Sequence, residues 1–190
     1  MDVKNAILSR RSIRKFENKP IDPSKLTQLV DLARFHATGG NVQPLSYAIV
    51  SKDPMRKKVF DLLAWAAYLP DYTCTEEFQP AAYIILLRDE TKTKACMYDL
   101  GAASTTIMLA AEEMGLASCV LAAFDPKKMK PVLELEDHLH PDLVIALGYA
   151  AHESNAVPFD GSIKYYRDEN GNFCVPKKSL SDVLVYTDVD

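Results

Sequence analysis

The chain has 190 residues, 48% of them apolar and 25% charged, a composition that suits a single cored domain over residues 1–190 and excludes a disordered chain. A net charge of −4 argues against nucleic acid as the main partner, because phosphate neutralisation calls for a basic excess. No run approaches the roughly 18 apolar residues of a membrane span and none resembles a signal peptide, and the four cysteines are widely spaced, so reduced thiols and a cytoplasmic location are expected.

Residues 2–9 read as a short helix, with Val3, Ala6 and Ile7 on one face and Asp2 as its cap. SRRSIRKF, Ser9 to Phe16, follows and runs on to Pro20 and Pro23, which block helix continuation. Asp22-Pro23-Ser24 opens a second helix bearing Leu26, Leu29, Val30 and Ala33, and Gly39-Gly40 is expected to stop it. Leu45 to Ser51 alternates as a strand does, and a helix is predicted over 54–68 from the spacing of Val59, Leu62, Leu63 and Ala66.

AAYIILL, Ala81 to Leu87, is a continuous apolar run suited to a strand covered on both faces. The longest predicted helix covers 92–114, ends at Gly115 and carries small residues on more than one side, which places it centrally and against a partner subunit. Leu116 to Phe124 contains a strand, Asp125-Pro126 opens a short helix, and DLVIALGY, Asp142 to Tyr149, is a third strand. Asp168 to Gly171 is a hairpin turn, and the tail from Leu180 to Tyr186 is apolar enough to dock. The sum is a layered mixed α and β domain in which helices dominate.

The octet SRRSIRKF gathers four basic residues in an acidic chain, so its charge is local and a small anion fits it better than a polyanion. Taken alone, a solvated surface cluster is the simpler reading. GNVQP, Gly40 to Pro44, adds a glycine turn and two amides; Asn and Gln can each donate and accept at once, which suits the edge of a heteroaromatic ring. His138-Leu-His140, beside Asp137 and Asp142, reads as a polar loop before a strand, and no metal is expected. There is no Gly-x-Ser-x-Gly, His-Glu-x-x-His or Gly-x-Gly-x-x-Gly.

SRRSIRKF and GNVQP, together with DLGAASTTIMLAAEEMGLASC and VPKKSLSDVL, resemble in content and order the motifs of the flavin-dependent nitroreductase superfamily. That resemblance implies an α+β fold with a central, mainly antiparallel sheet flanked by helices, an intertwined homodimer, and FMN in clefts at the subunit interface. It implies that Arg10, Arg11, Ser12 and Arg14 hold the phosphate and ribityl end, with Arg10 and Arg14 within reach of the ring's pyrimidine edge. Thr38 and Gly39 then supply hydroxyl and backbone contacts. Asn41 and Gln43 flank the ring of the FMN shared with the second subunit, the backbone of Val120, Leu121, Ala122 and Ala123 lies along the ring face near N5, and Lys177 and Lys178 close over the phosphate. Trp65 and Tyr68 fall where relatives build the substrate wall, and core packing is the competing reading for Trp65. No residue acts as nucleophile or base, because the cofactor carries the chemistry. The implied activity is electron transfer from NAD(P)H through FMN to a nitroaromatic, quinone or similar conjugated acceptor, in ping-pong fashion. A non-catalytic FMN store or sensor is the alternative, and a basic-arm interaction protein the third.

Overall fold

A computed structural model describes residues 1–189. Its centre is a four-stranded sheet made of β1 (Leu45–Val50), β2 (Ala82–Asp89), β3 (Ala117–Leu121) and β4 (Leu139–Gly148), in the order β1-β2-β4-β3. Every neighbouring pair is antiparallel. The fold is therefore α+β with an antiparallel sheet, as expected.

The central strands explain the apolar runs. Along β2 and β4, side chains alternate between two separate cores. Ile84, Leu86, Ile145 and Leu147 join Leu26, Leu29, Ala103, Ile107 and Ala111 on one face. Tyr83, Ile85, Leu87, Val144 and Ala146 join Phe16, Val59, Cys119 and Met129 on the other. Full burial of each such large apolar side chain contributes about 1.5–3 kcal/mol, so two faces give the middle of the sheet twice the drive of a one-sided one.

Helix α1 (Val3–Ser9) starts where the Asp2 carboxylate accepts from the Asn5 N–H at 2.8 Å. α2 (Pro23–Ala33) starts from Asp22, which accepts from Ser24 N–H at 2.9 Å, with proline in the first turn where no N–H is needed. α2 ends at Ala33, before the glycine pair that was expected to stop it. α3 (Met55–Phe60) is much shorter than the predicted 54–68 helix. Leu63 instead bridges to Phe124, and the Ala64 N–H donates to the Ala123 carbonyl at 2.9 Å, so the spacing of Leu62 and Leu63 reflects packing on the second core rather than helical continuity.

α4 (Met97–Glu113) lies on the sheet with Leu100, Ala103, Ser104, Ile107 and Ala111 buried. Its predicted first turn is absent, because residues 91–95 form a polar turn around the Asp89 and Thr93 side chains. The opposite side of its N-terminal turns is open: Met97 and Tyr98 are exposed, and nothing lies within 4 Å of a Cβ placed on Gly101. α5 (Pro126–Val132) is capped by Asp125. β4 begins at Leu139, so Leu139 and His140 belong to the strand and not to a loop.

The chain then forms a small second sheet from β5 (Ser154–Pro158), β6 (Tyr166–Arg167) and β7 (Phe173–Lys177), in the order β5-β7-β6. The expected turn closes the β6–β7 hairpin, with the Asp168 N–H donating to the Asn172 carbonyl at 3.0 Å. The tail does not dock on its own chain: α6 (Leu180–Val183) is followed by Val185 and Tyr186, which are 98% and 78% exposed. Leu180, Val183 and Leu184 are likewise more than half exposed.

Candidate functional site

The octet leaves α1 as extended backbone laid along the free edge of β3. Ser12 bridges Ser118 in parallel sense, and the Ile13 N–H donates to the Ser118 carbonyl at 2.9 Å. Phe16 anchors the segment: it is fully buried, and a Cβ on Gly148 would stand 2.6 Å from its Cδ1. Successive side chains of extended backbone point to opposite sides. Arg11 and Ile13 therefore share one side and line one cleft, while Arg10, Ser12 and Arg14 share the other.

The two sets of arginines meet different partners. Arg11 donates to the Leu8 carbonyl at 2.9 Å and to the Arg10 carbonyl, closing the C-terminal end of α1. Arg10 reaches α4, where its guanidinium meets the Met108 sulfur at 3.9 Å. Burial, followed by the Arg11 charge, draws the Arg10 pKa down, and Glu112 opposes this. Arg14 lies over the Tyr165 and Phe173 rings, 4.5 and 5.4 Å from their centroids. Among the described residues, none of these three arginines forms an ion pair with a carboxylate. Part-buried cations without counter-charges are costly to keep, and an anion placed among them removes that cost.

Arg14 is also fixed through its backbone. Its N–H donates to His152 Nε2 at 2.9 Å, and its carbonyl accepts from the Tyr72 hydroxyl. His152 Nδ1 meets the Glu153 carbonyl at 2.9 Å, so the ring is neutral with its proton on Nδ1, and burial lowers its pKa in accord. Burial likewise pushes the Tyr72 hydroxyl up, so it stays a donor. Tyr165 extends the group outward: its ring lies 5.1 Å from that of exposed Tyr68, and its hydroxyl accepts from the Tyr68 N–H at 3.4 Å. Tyr68 is thus joined to the octet, whereas Trp65 packs near Phe60 at 6.1 Å as part of the second core. Phe173 and His152 escaped the sequence reading. Tyr165, Tyr166 and Arg167 could be placed only as residues able to shape a pocket rim, with no role assigned, because nothing local says which aromatic turns toward Arg14.

The amide turn occupies the other end of α4. Asn41 N–H donates to the Thr38 carbonyl at 3.1 Å and Val42 N–H to the Gly39 carbonyl at 3.2 Å. Gly40, Asn41 and Gln43 all have positive φ, at 57°, 54° and 48°. The left-handed conformation costs an ordinary side chain roughly 1–2 kcal/mol, less for Asn, and such strain is kept where surrounding bonds over-determine it. Gln43 Nε2 donates to Asn41 Oδ1 at 3.1 Å, so both exposed amides are presented together. Behind the turn, His36 Nε2 faces Asp99 Oδ1 at 4.0 Å, and the Tyr47 hydroxyl is pushed up to about 12, by burial first and then by Asp99.

Thr38, Gly39, Asn41 and Gln43 are not brought to the octet within one chain. Gly39 shares a cleft with Tyr98 and Asp99, while Arg10 meets Met108, a separation of about 14 Å along the α4 axis. Val120 and Leu121 close β3 with side chains turned partly or wholly inward; Ala122 and Ala123 follow, exposed and small, their carbonyls taken by the Phe124 and Ala64 N–H groups at 3.2 and 2.9 Å. Ala122 lines a wide cleft of about 570 Å³ with Met97 and Gly101. Lys177 and Lys178 are exposed at the far end of β7, about 13 Å along the strand from the Phe173 that meets Arg14. They lie apart from the octet in this chain.

The geometry is that of a strap of arginines without carboxylate partners beside a small-residue helix, and comparison with known proteins gives the class. The Nitroreductase family matches residues 7–149. The chain belongs to the nitroreductase family. It is 27% identical over 168 residues to the FMN reductase (NADPH) of Bacillus subtilis, covering 80% of this chain and 67% of that one. It is 24% identical over 183 residues to the NADH dehydrogenase of Thermus thermophilus, covering 80% and 89%. A nitroreductase family protein of Clostridium novyi superposes with a TM-score of 0.68 at 22% identity, over 97% of this chain and all of that one, which shows a shared fold.

Proposed function

We propose that this nitroreductase-family chain is an FMN-dependent NAD(P)H oxidoreductase that delivers electrons to a nitroaromatic, quinone or similar conjugated acceptor, donor and acceptor taking turns at one open face. The observation that carries this reading is the set of guanidinium groups with no carboxylate partner, held on backbone tied into the sheet. Those residues fit FMN. Arg10 and Ser12 suit the phosphate, and Arg14, oriented by Tyr165 and Phe173, suits the acceptor edge of the ring. FMN held by these residues would supply the hydride and electron-transfer chemistry. The residues of the chain bind and orient, and Tyr68 with Tyr165 forms a wall suited to stacking a flat substrate.

Asn41 and Gln43 reach a cofactor held by the octet only when a second copy supplies them, because one chain keeps the two groups at opposite ends of α4. The open side of α4 at Met97, Tyr98 and Gly101 and the undocked apolar tail support a homodimer. The relatives named as an FMN reductase and an NADH dehydrogenase support the donor and cofactor classes.

The test is spectroscopic. Purified protein should be yellow or become so with FMN, and anaerobic mixing with NADH or NADPH should bleach it within about seconds, the range of ordinary turnover. A colourless protein that takes up no flavin overturns the reading. Flavin that binds but stays oxidised with both donors makes the chain a flavin binder instead. Sedimentation of flavin-loaded protein as a monomer refutes the shared site.

A further inference from the structure

The Gly40–Gln43 turn holds one feature that its own bonds do not explain. Gln43 precedes Pro44, and a residue before proline is driven to extended backbone with φ near −120°. Gln43 instead has φ 48°, and it lacks the short polar side chain that lets asparagine tolerate that region. Within the turn, its return to extended geometry is opposed by a 3.3 Å bond from the Gln43 N–H to Thr38 Oγ1 and by the exposed side-chain bond from Gln43 Nε2 to Asn41 Oδ1, neither of which holds the Gln43 carbonyl.

A second hold comes from outside the turn. Lys92, three residues past the end of β2, donates from Nζ to the Gln43 carbonyl at 3.1 Å. The Asp89 carboxylate stands 3.8 Å from the same ammonium, and Asp89 is itself fixed by the Thr91 N–H at 2.9 Å and the Thr91 hydroxyl. The Thr91 hydroxyl bond also keeps the Asp89 pKa low, so the carboxylate stays charged. Asp89 N–H meanwhile donates to the Pro44 carbonyl at 2.9 Å, tying the next residue of the turn to the same strand end. The bonds form one chain of supports from β2, through Asp89 and Lys92, to the carbonyl of the most strained residue.

We propose that Lys92, aimed by Asp89, is a positioning residue: it latches the Gln43 carbonyl and so keeps the Asn41 and Gln43 amides presented for the flavin ring. The inference rests on the FMN reading for its purpose but not for its geometry. A latch differs from a stray surface cation in the role of Asp89. If Lys92 merely attracts the anionic cofactor, removing the Asp89 charge tightens FMN binding. If Lys92 is a latch, removing it loosens the turn and weakens binding.

The experiment uses the full chain with and without FMN. In FMN-free protein, Lys92→Met should speed amide hydrogen exchange at Gln43 about fivefold, the effect of losing one hydrogen bond of ordinary net strength at an exposed site, and Lys92→Arg should stay within about twofold of wild type. In fluorescence titrations with FMN, Lys92→Met should weaken affinity about fivefold, Lys92→Arg should restore it, and Asp89→Asn should weaken it about threefold. Unchanged exchange in Lys92→Met, or tighter FMN binding in Asp89→Asn, overturns the latch. Wild-type protein that binds no FMN overturns the flavin reading alone, since exchange at Gln43 still decides the latch.

Discussion

Arg10, Ser12 and Arg14 stand on backbone bonded to β3 and pinned by Phe16, whereas Asn41 and Gln43 stand on an exposed turn whose own backbone is strained. The first region inherits its shape from the core. Its arginines are set before any ligand arrives, and the cost of their unpaired charges is carried by the fold. The second region inherits little from the core and is held by a few polar bonds. On the proposed reading, a site built from both would join a rigid anion grip to an adjustable ring contact, and the two would respond differently to damage.

The largest effect is expected where the grip meets the core. Phe16→Ala should cost about 3–5 kcal/mol of stability, measured by chemical denaturation, and should lower FMN affinity as the strap loosens. A loss confined to affinity would show that the octet does not depend on the core. Arg10→Ala should weaken FMN binding by about 1.5–3 kcal/mol, while Arg11→Ala should act mainly on stability, by about 0.3–1 kcal/mol, through the end of α1. Equal losses of affinity in the two variants would mean that alternation along the strap does not separate their roles.

Acid sharpens the comparison further. Protonated His152 cannot accept from the Arg14 N–H, and its folded pKa lies below the ordinary 6.5. The unfolded chain therefore takes up this proton more readily, so its contribution to stability is complete above pH about 6.5 and is lost as pH falls toward the folded value. Denaturation at pH 5 and pH 7.5 should show this loss in wild type and a smaller one in His152→Gln. Matching acid sensitivity would clear His152. The smallest effect belongs to the turn: Thr38→Val removes the acceptor for the Gln43 N–H and should change FMN affinity by less than about 1 kcal/mol, with faster exchange at Gln43.

The sheet was legible because AAYIILL and DLVIALGY are apolar without alternation, the mark of strands covered on both sides. The 54–68 helix was misread because Leu62 and Leu63 serve a core contact that helical spacing imitates. The geometry of the octet was not legible: four basic residues suggest an anion, yet only the pairing of Ser12 with Ser118 tells which arginines share a side. Tyr165 and His152 were illegible because each meets Arg14 from more than 130 residues away in sequence. The distance between octet and amide turn has a similar cause, since it is set by where each meets α4, at Met108 and near Tyr98 and Asp99, more than 50 residues away in sequence.

The bond between Ile13 and Ser118 has a consequence for solubility as well as for binding. β3 has β4 on one side only, and on the other side the octet covers part of its exposed hydrogen-bonding edge. Bare edges of this kind pair with the edges of other molecules and seed aggregates. The strap that carries the arginines is thus also a guard strip, and selection for a weaker grip on anions could change its side chains freely only while its backbone stayed in place.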